Sequence, residues 1–120
     1  MLIPFAQLAE QLIAAGAVIF VKTNIPQTMF AFECCNPLFG RTTNPYNAAY
    51  TCGGSSGGEG ALLGMDGSAV GIGSDIGGSV RIPAHYCGLY SLKPSPGRLS
   101  FYGARGKCLD PPICSGCWLT

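Results

Sequence analysis

Residues Gly53–Pro83, GGSSGGEGALLGMDGSAVGIGSDIGGSVRIP, decide how this chain is read. They hold 11 of its 18 glycines, and their only charges before Arg81 are Glu59, Asp66 and Asp75. Ser55, Ser56, Ser74 and Ser79 stand among those glycines. Glycine has no Cβ, so such loops let backbone N–H groups crowd round a bound group. A serine held among converging N–H donors is what acyl transfer requires, a nucleophile beside an oxyanion site. A flexible Gly/Ser linker is the plain alternative. Linkers lack the interleaved apolar steps Ala61-Leu62-Leu63, Ala69-Val70 and Ile72 found here.

The turn Ser74–Gly78 delivers Ser79 to the start of a helix expected to run toward Cys87. Several N–H groups at a helix start have no helical acceptor. An oxyanion on a carbonyl attacked by Ser79 would meet the N–H groups of Ile76, Gly77, Gly78 and Ser79, each worth roughly 3 kcal/mol. Ser79 as a plain helix cap is the competing reading, and the residues alone leave the two open. His85, the one histidine, is a poor base for Ser79. Six helical positions turn it about 240° away.

Two other glycine patterns compete. Gly53-Gly54-Ser55-Ser56-Gly57 satisfies G-x-S-x-G, the elbow of α/β-hydrolase esterases, with Asp75 and His85 following in order. That elbow needs a strand directly before it, and NAAYTC (residues 47–52) is a poor strand. Gly58, Gly60 and Gly64 have a dinucleotide-type spacing, again without a buried strand before them. No Gly-Lys-Ser or Gly-Lys-Thr occurs, which excludes a P-loop.

Outward from this stretch, an α/β grammar is expected. Phe5–Ala15 reads as a helix, with Leu8, Leu12 and Ala15 on one face, Pro4 at its start and Gly16 at its end. Ala17–Val21 reads as a buried strand, parallel to its neighbours. Thr23–Tyr50 is turn-rich yet carries Met29, Phe30, Phe32, Leu38, Phe39, Tyr46 and Tyr50, so it should pack on something or line a pocket. A helix over Glu59–Met65, a strand over Ala69–Gly73 and a strand over Leu89–Leu92 follow, with Gly97–Gly106 as loop. The fold class is α/β, part of a mixed twisted β-sheet flanked by helices. Residues 1–106 form the domain, and 107–120 read as a divergent tail without period or partner, the first place for a protease to cut.

With 7 basic and 6 acidic residues the net charge is +1, so nothing suggests nucleic acid as a partner. Oligomeric state is left open. No apolar run reaches the 18 or so residues of a membrane span. The apolar start lacks a basic region, so it is not read as a signal peptide. Seven cysteines, an odd number, suit reduced thiols in a cytoplasmic protein. Cys108, Cys114 and Cys117 mimic a zinc knuckle but lack a fourth ligand nearby, so no metal is expected, and no organic cofactor.

Several blocks together carry a family resemblance: GGSSGGEGALL, GIGSDIGGSVRIP, VKTNIPQTMF, NPLFGRTTNPYN and YCGLYSLKPSPGRLS. In order and spacing they resemble the amidase signature family, most closely its acetamidase and fatty acid amide hydrolase branch, from Ala15 to Gly106. The resemblance implies hydrolysis of a carboxylic amide to acid and ammonia or amine. Ser79 matches the acyl-enzyme nucleophile. Ser55, 24 positions before it, matches the serine that relays its proton to a lysine, and Ser56 supports that loop. The positions of Met29 and Phe30 border the acyl pocket, so Met29 and Ser55 join Ile76, Gly77, Gly78 and Ser79 as substrate-facing residues. Asp75 and Arg81 match a supporting pair. The family's lysine block precedes anything matched here, and neither Lys22 nor Lys93 corresponds to it. The chain is therefore expected to be a fragment without the catalytic lysine. A non-catalytic remnant is the further alternative.

Overall fold

The computed structural model describes residues 6–100, 102–103 and 114–119. Helix α1 is Gln7–Ala14, inside the expected span. It ends as its sequence demands: Gly16 turns left-handed (φ 94°), its N–H donates to the Ile13 carbonyl at 2.9 Å, and that of Ala17 reaches the Leu12 carbonyl at 2.9 Å. None of its residues is buried. The expected buried strand over Ala17–Val21 is not formed. That segment has no strand assignment, and Val18 and Phe20 are 85% and 63% exposed. A strand exists only through its ladder, and no described residue offers Ala17–Val21 one.

The turn-rich stretch behaves as its prolines and asparagines require. After a 3-10 turn, Gln27–Met29, come the two-residue strands β1 (Cys35–Asn36) and β2 (Gly40–Arg41), paired antiparallel. The Asn36 side chain closes their turn by accepting from the N–H groups of Leu38 and Phe39. Asn24 ties the base of this hairpin, donating to Thr42 Oγ1 at 3.0 Å and accepting from the Asn36 amide. Of the two expectations for the large side chains, packing is not found, while Leu38 and Phe39 line one cavity and Tyr46 and Tyr50 another. Phe30, Phe32, Leu38, Phe39, Tyr46 and Tyr50 all stand exposed.

Helix α2, Gly57–Gly64, starts two residues before the expected Glu59. Its sequence GGEGALLG is a poor helix former, each glycine costing about 1 kcal/mol against alanine. Close packing offsets that cost. A Cβ on Gly58 would lie 2.4 Å from the Asn24 backbone nitrogen, so the helix and that loop touch through bare backbone. Strand β3 (Val70–Asp75), helix α3 (Arg81–Tyr86) and strand β4 (Tyr90–Leu92) follow.

The tail also departs from expectation. Cys114–Leu119 forms strand β5 and lies between β3 and β4 in a three-stranded sheet. Val70 pairs with Leu119 and Asp75 with Cys114 on one side; Tyr90 pairs with Leu119 on the other. Both ladders are antiparallel. Backbone hydrogen bonds need no side-chain period, so the pattern of CSGCWL gave no sign of this strand. Residues 107–113, including Cys108 of the supposed zinc knuckle, lie outside the described residues.

Among the described residues two small buried clusters form the core. Cys34, Cys52, Ala61 and Cys87 make one, Leu63, Val80 and Ala84 the other, and Leu89 packs against both. This is little apolar burial beside the exposed surface of Val18, Phe20, Phe30, Leu38, Phe39 and Tyr90. The chain made alone should therefore self-associate at micromolar concentration and melt without sharp cooperativity. Sedimentation and calorimetry check this; a monomer with a sharp, reversible two-state melt would contradict it.

Candidate functional site

Asp75 organises the site. It ends β3 with 1% of its surface exposed. Its carboxylate accepts from the N–H groups of Gly78 (2.8 Å), Val80 (3.1 Å) and Arg81 (3.3 Å), and from both ends of the Arg81 guanidinium fork at 2.9 and 2.8 Å. Burial alone would raise this carboxyl, but the Arg81 bond and the three N–H donors outweigh it and hold Asp75 well below the usual carboxylate range. Residues 75–81 thus wrap around one buried charge.

A folded-state pKa below the unfolded value means that this contribution is present at neutral pH and is lost as the pH falls below about 4. Asp75→Asn removes the charge and presents an amide NH₂ to donors, at a cost of about 2 kcal/mol. The variant should also lose that part of the acid dependence. Amide exchange at Gly78 and Val80 measured against pH checks both; unchanged protection would contradict them.

This wrapping corrects one expectation. The helix begins at Arg81, not at Ser79, and spans only six residues. The Asp75 carboxylate already occupies the N–H groups of Val80 and Arg81 at its start, and that of Gly78. Donors free for an oxyanion therefore belong to the turn, not to a helix end. Among the described residues the N–H groups of Ile76, Gly77 and Ser79 have no protein acceptor, and Gly78 leaves the expected set of four. Ile76 and Gly77 are exposed, and a Cβ on Gly77 would meet nothing within 4 Å, so the turn opens outward. Ser79 is half-buried behind it.

The first serine loop docks on this turn. Ser56 N–H donates to the Ser79 carbonyl at 3.0 Å. Ser56 Oγ accepts from Ser74 N–H at 3.3 Å and lies 3.4 Å from the Ser74 carbonyl. Ser56 is thus the clasp between the two loops. Ser55, next to it, is 2% exposed, and its hydroxyl has no hydrogen-bond partner among the described residues. A buried hydroxyl in that state costs about 1–3 kcal/mol, an expense found where a further polar group is to be met.

Met29 sits at the end of the 3-10 turn, half exposed, with its own φ at 60° and that of Thr28 at 61°. Phe30 beside it is fully outward. A cavity of about 860 Å³ lies near, lined by Asn24, Gln27, Thr28, Asn36, Leu38 and Phe39 among others, but neither Ser55 nor Ser79 borders it. We take the serine loops, not this cavity, as the chemical centre, because it offers no nucleophile beside free donors.

The esterase elbow loses its support. No strand precedes Ser55: Thr51 makes a single bridge to Thr43, and Cys52–Gly54 is irregular. Asp75 is engaged by Arg81, and His85 points from the exposed side of α3. The dinucleotide spacing fails in the same way, since Gly58 lies inside α2 with no strand before it. One organising residue escaped the sequence reading. Glu59 accepts from Thr23 Oγ1 at 2.7 Å and from Ile72 N–H at 3.2 Å, joining three segments that flank the site. Its isolation as a charge within a glycine-rich helix was the available signal.

The family model described as Amidase matches residues 5–114. Fatty acid amide hydrolase 1 of Caenorhabditis elegans is 52% identical over 98 residues, 82% of this chain and 17% of that protein. An acetamidase of Aspergillus oryzae is 56% identical over 89 residues, 74% of this chain and 16% of its own length. Among solved structures, a fatty acid amide hydrolase superposes with a TM-score of 0.90 at 40% identity, over 95% of this chain and 21% of that one. The chain spans about a fifth of the length of the relatives it matches.

Proposed function

This chain belongs to the amidase family, with the α/β amidase signature fold, and on that premise we propose that its residues serve hydrolysis of a linear carboxylic amide through an acyl-enzyme on Ser79. The observation that carries the proposal is the clasp from Ser56 N–H to the Ser79 carbonyl at 3.0 Å. Ser55, buried and next to Ser56 in the chain, stands by a turn in which Ile76 and Gly77 are exposed.

In this reading Ser79 Oγ attacks the amide carbonyl. The N–H groups of Ile76, Gly77 and Ser79 receive the oxygen as charge develops on it. Ser55 takes the proton from Ser79 and passes it to a lysine that corresponds to no residue of this chain. The unpartnered Ser55 hydroxyl supports such a meeting. The lysine returns the proton to the leaving amine, and water then hydrolyses the acyl ester. Met29 borders the acyl group. No metal or organic cofactor enters any step. The substrate is a small-molecule amide, and the free thiols Cys34, Cys35, Cys52 and Cys87 suit a reducing, cytoplasmic setting.

A timed exposure to a fluorophosphonate, followed by peptide mapping, tests the assignment. Adduct on Ser79, slow where no lysine is supplied, is expected. Adduct on Ser55 would restore the esterase reading, and no adduct on any serine would mark a non-catalytic remnant.

A further inference from the structure

Cys34, Cys52 and Cys87 are all fully buried and share one cluster under the first serine loop. The reaction above uses none of them. Two of them meet at one residue: a Cβ on Gly57 would stand 2.5 Å from Cys34 Cβ and 2.8 Å from Cys52 Sγ, so both pack against the same bare glycine. Their thiols also bond to backbone of the same region, Cys34 Sγ to the Asn24 carbonyl at 3.1 Å and Cys52 Sγ to the Thr42 carbonyl at 3.2 Å. We propose that Cys34 and Cys52 are a dithiol that hydrogen peroxide converts to a disulfide, a covalent latch between the β1–β2 hairpin and the segment leading into Ser55.

The step balances. The Cys34 thiolate attacks one peroxide oxygen, giving a sulfenic acid and, after protonation, one water. The Cys52 sulfur then attacks the Cys34 sulfur, releases a second water and closes the S–S bond. Two thiols are oxidised by two electrons and one peroxide is reduced. Hydrogen bonding from the Cys52 side chain holds the Cys34 thiol below its usual range against the opposing effect of burial, which favours Cys34 as the attacking partner. Burial pushes the Cys87 thiol up to about 11, and no Cys87 atom is among the nearest neighbours of the Gly57 position at which Cys34 and Cys52 meet. Access comes from the hairpin. Glu33 and Cys35 on either side of Cys34 are exposed, so a local opening of that loop admits a water-sized oxidant.

The test uses the full-length family member carrying these blocks, numbered here by this chain. It is treated with limiting hydrogen peroxide, alkylated, and digested with trypsin without reduction. Cleavage after Lys22, Arg41 and Arg81 puts Cys34 and Cys52 on different peptides. A linked pair of those peptides is expected, lighter than the two thiols by about 2 Da, the two hydrogens lost. Dithiothreitol should separate them. Cys35→Ala should keep the link, since Cys35 shares the Cys34 peptide, and Cys52→Ala should remove it. Separate alkylation of Cys34 and Cys52 after oxidation, a link through Cys35 or Cys87, or an equal yield of the pair from chain unfolded in denaturant would each overturn the proposal. None of these readouts depends on amidase activity.

Discussion

Replacing Ser79 with alanine should abolish amide hydrolysis and fluorophosphonate labelling together, in a full-length family member carrying these blocks and numbered here by this chain. Loss of a nucleophile costs on the order of 10⁶-fold in turnover, because the remaining donors and binding contacts act only on a reaction that no longer forms its covalent intermediate. The turn itself should survive. Its order comes from Asp75 and the N–H groups of Gly78, Val80 and Arg81, and the clasp uses the backbone carbonyl of Ser79, which alanine retains. The Ser79 hydroxyl makes no hydrogen bond among the described residues, so stability should change little. A variant that still acquires covalent probe at any serine would contradict this role.

Ser55→Ala should separate rate from stability in the opposite sense to a structural substitution. The side chain is buried, and its hydroxyl finds no partner among the described residues. Removing an unsatisfied buried polar group is neutral or stabilising within the chain alone. As the proton relay, the same hydroxyl supports a general-base step worth about 10²–10⁴-fold. Turnover should fall by that factor while Ser79 still labels, slowly, and while the melting profile holds or improves. The loss is partial because a water can carry the proton over the same gap. Equal loss of rate and folding would show Ser55 to be a structural serine. An unchanged rate would remove it from the relay.

The two serine loops of this chain were more legible in its sequence than its packing. Serines spaced among glycines at 53–57 and 74–79 pointed to two loops, and the clasp at Ser56 joins them. Asp75 and Arg81 were read as a supporting pair, and they are one, because a lone acid and a lone base six residues apart in an apolar stretch have few other partners. Composition misled where tertiary partners decide. AVIFV at 17–21 has the β-branched content of a buried strand, yet burial needs a second surface and a strand needs a ladder, neither of which a local pattern encodes. The converse holds for Cys114–Leu119, which pairs on both sides with little in its composition to announce it. The start of α3 slipped by two residues because Asp75, from the preceding strand, captures the N–H groups that Ser79 was expected to cap. That capture depends on side-chain geometry, and it occupies the N–H group of Gly78 as well.

The most direct measurement is acid-quenched trapping of the acyl-enzyme during turnover of an amide by the full-length family member carrying these blocks, followed by peptide mapping. The account predicts the acyl mass on Ser79, with Ser55 unmodified at every time point. Acyl mass on Ser55, or steady amide turnover with no acylated serine, would contradict it.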